Sequence, residues 1–303
     1  MHWLIAVHIA VVLFSVAMVL DKHLVVRMFP SSATFNVVFG LLQFIVAPAF
    51  LVTAVFTVGF DGGSGIPWAI ATGLAWGFAL SLFFAGLRLE EVSRAAPISA
   101  SAPVFVALIA VVLFGESLTL FQWSAILAVV LGAALVSAQF DGWTPGIACG
   151  RALAMLVASA IFMSIGITAS DQAVERMNVW AVQGFRSFSM GLTVIALTWR
   201  PSMHRQMLYT MRRGRAVGAL FVTEGVIGPL AQLTFLMALT QGSVAVVTAV
   251  VSSGLPLLVL LLTIALSTKA WNVLNESLDR QTLGPKAFAT ALIVAGVATL
   301  AIV

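Results

Sequence analysis

Two ionisable side chains stand inside long apolar stretches of this 303-residue chain, Arg186 in one and Glu224 in another. If those stretches cross a bilayer, each group lies roughly 12 to 15 Å deep at about 1.5 Å per residue, close to the midplane of a ~30 Å hydrocarbon core. A charge there costs about 2.5 to 3.5 kcal/mol even on the lenient insertion scale, so each needs a reason to exist. One reason is binding, with Arg186 anchoring a substrate carboxylate or phosphate and Glu224 holding a proton or cation. The other is a structural ion pair between neighbouring helices, and the spacing alone leaves both open.

Gln43, Gln183 and Gln232 occupy similar depths and are candidate substrate contacts, although an interhelical hydrogen bond would explain each equally well. Trp76 is the one tryptophan well inside its stretch. With Phe78, Phe83 and Phe84 nearby it is a candidate wall for a cavity, against plain packing. Gly73 and Gly77 form a small-xxx-small pair on the same helix and would turn Trp76 away from that helix contact. Asp21, Lys22 and His23 close the first stretch, and Asp171 echoes Asp21 in the second half. Asp21, Lys22 and Asp171 are therefore candidates for gating, against an interfacial charge cluster. Glu116 and Glu276 precede later apolar stretches, where a carboxylate accepts from free N–H groups at a helix start.

The surrounding sequence dictates what must position these groups. It is 61% hydrophobic and 9% charged with a mean hydropathy of +1.10, whereas a soluble domain carries about a quarter charged residues. Apolar segments run near 3–20, 32–58, 66–88, 94–114, 119–138, 146–169, 178–199, 214–239, 243–268 and 283–303. That predicts an all-α polytopic membrane protein of ten transmembrane helices, because lipid leaves a spanning backbone no hydrogen-bond partners but its own. The first stretch lacks the charged n-region of a removable signal and is expected to be retained. Pro97, Pro103, Pro229 and Pro256 are expected to interrupt spans 4, 8 and 9, each freeing a carbonyl. Tryptophans 3, 68, 123, 143, 180, 199 and 271 fall near helix ends, as interfacial anchors do.

Thirteen basic residues fall in loops 1–2, 3–4, 5–6, 7–8 and 9–10 with their flanks, against Arg176 alone in the other loops. Five of them are the arginines between Arg200 and Arg215. The asymmetry places those loops in the cytoplasm and both termini outside. The basic composition is thus a topology signal rather than a nucleic-acid surface. Cys149 is a lone small apolar helix residue. The four histidines (2, 8, 23, 204) are scattered, and no nucleotide-binding, zincin or nucleophile-elbow motif occurs. A cofactor and a metal site are not expected, and an integral membrane enzyme is the weaker alternative to a non-enzymatic protein.

The chain also repeats itself. Ala85 stands 18 residues before Pro103, and Ala238 stands 18 before Pro256; Gly115-Glu116-Ser117-Leu118 returns as Asn275-Glu276-Ser277-Leu278. Five helices per unit is odd, so the second copy enters the membrane upside down. The expected units are 1–140, the first repeat, and 146–303, the second.

Ala102-Pro103-Val104-Phe105, the Gly-Glu-Ser-Leu turn, and a span ending Val130-Leu-Gly-Ala-Ala-Leu-Val136 together resemble the EamA domain of the drug/metabolite transporter superfamily, best over residues 82 to 138. The resemblance implies two inverted five-helix EamA repeats and export or exchange of a small organic metabolite across the cytoplasmic membrane, without ATP. A midplane site between the repeats, coupled to a proton or counter-substrate, would follow. A flippase for a lipid-linked or phosphorylated head group is the alternative within this class, suggested by the arginines of loop 7–8.

Overall fold

A computed structural model describes residues 2–57, 63–114, 119–137, 147–200, 204–212, 214–242, 244–267 and 280–302. Glu116, Glu276, Trp143, Trp271 and the side chain of Cys149 lie outside the described residues. The helices are α1 (His2–His23), α2 (Ser32–Thr57), α3 (Ile66–Leu89), α4 (Val92–Ser99), α5 (Ala102–Phe114), α6 (Leu120–Ser137) and α7 (Ile147–Val174). They continue as α8 (Val179–Thr198), α9 (His204–Arg212), α10 (Gly214–Leu220), α11 (Gly228–Leu239), α12 (Val244–Ser267) and α13 (Arg280–Ile302). No strand occurs among the described residues. The protein is an all-helical polytopic membrane protein. Seven of the described helical stretches are long and apolar enough to cross a bilayer, with shorter apolar helices over Leu120–Gly132 and Ala287–Thr299. Phe56, Val112 and Leu120 are 85%, 79% and 87% exposed, an arrangement stable only where the solvent is lipid.

Each expected apolar segment becomes helix, with three differences in detail. The first segment does not stop at residue 20: α1 reaches His23 and passes into a π-helical turn, Leu24–Met28. The apolar run Leu24-Val25-Val26 carries it on, so Asp21 is 4% exposed inside the bundle rather than at an interface. The fourth segment breaks into α4 and α5 between Pro97 and Pro103, where the Ser101 amide and hydroxyl both donate to Ile98 O. Pro256, by contrast, sits inside an unbroken α12. The extra piece is α9, a short amphipathic helix in the arginine-rich loop, tied to the start of α2 by Thr34 Oγ1 donating to Gln206 Oε1 at 3.0 Å.

Local caps explain the starts. Asn178 accepts from the Ala181 amide at 2.9 Å to open α8. At α6, Thr119 and Gln122 cap each other's amides in a capping box. The basic residues of loops 1–2 and 3–4 meet at one end of the bundle. Lys22 Nζ donates to Leu87 O and Glu90 O at the end of α3, and Arg88 donates to Val25 O, Phe29 O and Pro30 O. Arg94 pairs with Glu90 and Glu91 at 3.6 Å in the same turn. Arg176 lies 5.7 Å from the Trp68 ring, at the opposite ends of α3 and α7.

Glycines set how closely the helices approach. Gly73 and Gly77 of α3 lie on Arg186, Ser189, Met190 and Thr193 of α8, while Gly40 of α2 meets Gly191 of α8. At α6 and α13, a Cβ on Gly132 would stand 3.0 Å from Ala289 O, and one on Gly296 would stand 2.8 Å from Ala125 O. Small residues allow such backbone contact in lipid, where no hydrophobic force drives helices together.

Candidate functional site

A cavity of about 170 Å³ lies at the centre of the bundle. It is walled by α1, α2, α3, the α4–α5 break, α7, α8, α11, α12 and the π-helical turn Phe221–Ile227 that joins α10 to α11. Arg186, Glu224, Trp76, Gln43, Gln183 and Gln232 all face it, and so does Asp21. Lys22 and Asp171 do not: Lys22 is engaged at the end of α3, and Asp171 is half-buried near the end of α7.

The sequence folds this way around Trp76 because glycines lie on both sides of it. Gly73 and Gly77 hold α3 against α8, and Gly166 of α7 leaves room for the indole, since a Cβ there would be 2.6 Å from Trp76 Cδ1. The ring therefore turns to the cavity beside Arg186, whose guanidinium carbon lies 5.0 Å from its centroid. A desolvated cation over an indole face gains about 2 kcal/mol. Arg186 also donates to Gln183 Oε1 at 3.4 Å, and Gln183 donates to Ser187 Oγ at 3.2 Å. No ion pair joins Arg186 to Glu224 or to any other carboxylate among the described residues. Glu224 instead shares the wall with Asp21, where α1 packs on the π-helical turn.

The wall is left polar and underused. Asp21 Oδ1, Gln43 Oε1, Trp76 Nε1, Ser99 Oγ, Arg186 Nε, Gln232 Nε2 and Thr248 Oγ1 are buried without a hydrogen-bond partner, and all seven residues line the cavity. They are half of the fourteen such atoms among the described residues. An unpaired buried donor or acceptor costs about 1 to 3 kcal/mol, so their concentration at one place calls for a ligand or water. Between them stand Phe14, Phe39, Phe83, Met163 and Phe235, which give the cavity an apolar body with polar groups around it.

Ser99, Thr248 and Ser252 escaped the sequence reading. A signal existed for two of them: Ser99 precedes Pro103 by four residues, as Ser252 precedes Pro256. Proline supplies no amide to the carbonyl four residues back, and in both cases the residue at that position is a serine on the cavity wall.

The EamA-like transporter family matches residues 1–138 and 150–302. The chain belongs to that family. It is thus a membrane transporter of the drug/metabolite type. A solved protein described only as "Crystal structure of protein" is similar in fold, with a TM-score of 0.57 and 19% identity over 97% of this chain and 94% of that one. No curated protein matches this EamA-like transporter.

Proposed function

We propose that this EamA-like chain is a secondary transporter that carries a small organic anion through the central cavity by alternating access, with Arg186 as the anchor for the anionic group. The observation that carries the reading is a buried guanidinium that forms no ion pair among the described residues, set among six other cavity side chains that each leave a buried polar atom without a hydrogen-bond partner. An arginine offers a carboxylate or phosphate a planar fork, and in a dry cavity that pairing is strong. The volume supports a small cargo, since a cavity of about 150 Å³ holds one benzene ring. That size and the phenylalanine-rich wall favour a solute over the head group of a lipid-linked sugar.

Two inverted repeats of five helices, 1–140 and 146–303, are the architecture we infer for the exchange between outward- and inward-facing states. The contacts of α6 with α13 support it. Gly132 meets Ala289 and Ile293, while Gly296 meets Ala125 and Val129, and the counterparts are 164 positions apart in every case. α1 packs on α11 as α3 packs on α7, the exchange a twofold relation requires. Both termini then lie outside the cytoplasm, opposite the basic loops.

The test is counterflow in proteoliposomes against a panel of small carboxylates and phosphates. Arg186→Ala is expected to lose transport, with folding checked by monodispersity in detergent because the guanidinium also neutralises the acidic wall. Arg186→Lys is expected to transport poorly, a point charge being unable to reproduce the fork. Undiminished counterflow by a folded Arg186→Ala protein would overturn the assignment.

A further inference from the structure

Asp21 and Glu224 come from opposite halves of the chain and meet on the cavity wall. α1 packs against both the π-helical turn and α11, so the contact is built into the bundle rather than made by a free side chain. Asp21 is 4% exposed and Glu224 9%, and Asp21 Oδ1 has no partner and faces the cavity. Local backbone serves the pair. Glu224 lies within a π-helical turn, a widened geometry common at functional sites. Gly228 leaves room for its carboxyl to fold back, since a Cβ there would stand 3.0 Å from Oε2.

Two buried carboxyl groups on one wall beside a single cation cannot both be ionised without a large cost, so one of them holds a proton. The ionisable groups on the wall are Asp21 from α1, Glu224 from the π-helical turn and Arg186 from α8; α2, α3, α4–α5, α7, α11 and α12 contribute none. Lys22, next to Asp21, is turned to the carbonyls that end α3. With one shared proton the pair carries a single negative charge, which Arg186 balances. An anion arriving at Arg186 leaves the cavity one charge negative, a costly state in a medium of low dielectric.

Resting on the reading of Arg186 as an anion anchor, we propose that the Asp21–Glu224 carboxyl pair is a proton site that takes up a second proton from water when an anion occupies Arg186, so that anion and proton cross together. The second proton breaks no covalent bond. It enters from the open side, neutralises the remaining carboxylate, and returns to water on the other side when the anion leaves. The pair is thereby the coupling device, and the cargo and the proton occupy two parts of one cavity.

Two measurements on the purified full chain test this. Infrared spectroscopy at neutral pH is expected to show a protonated-carboxyl stretch in the wild type that the isosteric double variant Asp21→Asn/Glu224→Gln lacks. In weakly buffered detergent solution, benzenesulfonate, an anion that cannot itself carry a proton, is expected to raise the pH on binding by about one proton per anion bound. The double variant Asp21→Asn/Glu224→Gln is expected to bind the anion with that uptake abolished, since either single amide leaves one carboxylate able to take the proton, and Arg186→Ala is expected not to bind it. A wild type without the carboxyl stretch, without benzenesulfonate binding, or with binding that leaves the pH unchanged would overturn the proposal. A normal stretch and normal uptake in a protein that shows no counterflow of any solute would instead count against the transport reading alone.

Discussion

Gly73→Ala adds one methyl group at the tightest part of the site. A Cβ at this position collides with Ser189 Oγ and with the Arg186 carbonyl oxygen, and lies 2.9 Å from Met190 N. Two of those three atoms are backbone and cannot rotate aside. Non-bonded heavy atoms are comfortable at about 3.5 Å or more, so α3 must retreat from α8 by roughly 1 Å. Forcing a methyl into such a contact costs about 1 to 3 kcal/mol, against which the better helix propensity of alanine returns at most about 1 kcal/mol. The net loss is on the order of 1 to 2 kcal/mol, or roughly 2 to 4 °C in melting temperature for a chain this long. Thermal unfolding in detergent measures it, and Gly218→Ala is the control. Gly218 also lies within a helix, but nothing stands within 4 Å of a Cβ there, so the same chemical change meets open space. The retreat also draws Trp76 off the Arg186 guanidinium, so benzenesulfonate binding weakens together with stability. A Gly73→Ala protein that melts with or above the wild type, while Gly218→Ala behaves alike, would refute the packing argument and with it the account of how α3 aims Trp76.

If the two halves are related by a twofold operation, Gly132→Leu and Gly296→Leu push the same α6–α13 contact apart from its two sides. They should lower the melting temperature by amounts that agree within about 2 °C, roughly 1 kcal/mol at this chain length, and unequal losses would argue against that relation. A C-terminal reporter active only in the cytoplasm should stay silent, as the thirteen basic residues on alternate loops require; a signal from it would reverse the orientation.

Much of this protein was legible before any coordinate. Composition alone fixed the solvent, because 9% charge over 303 residues cannot dress a soluble surface. Lipid then allowed only helices, and the apolar runs set where along the chain they fall. Arg186 and Glu224 stood out for the same reason, since a charge in an apolar stretch is expensive and has to be functional or paired. Tertiary structure decided where each of them points. Sequence depth placed the two at similar levels but carried no azimuth, and it is azimuth that leaves Arg186 beside Trp76 and turns Glu224 to Asp21. Asp21 itself looked interfacial beside Lys22 and His23. Only the continuation of α1 into Leu24–Met28, and the reach of Lys22 to the end of α3, put it on the cavity wall. A one-dimensional pattern records how far each residue lies along its helix. Which helix it faces is settled by the glycine contacts that bring the backbones together.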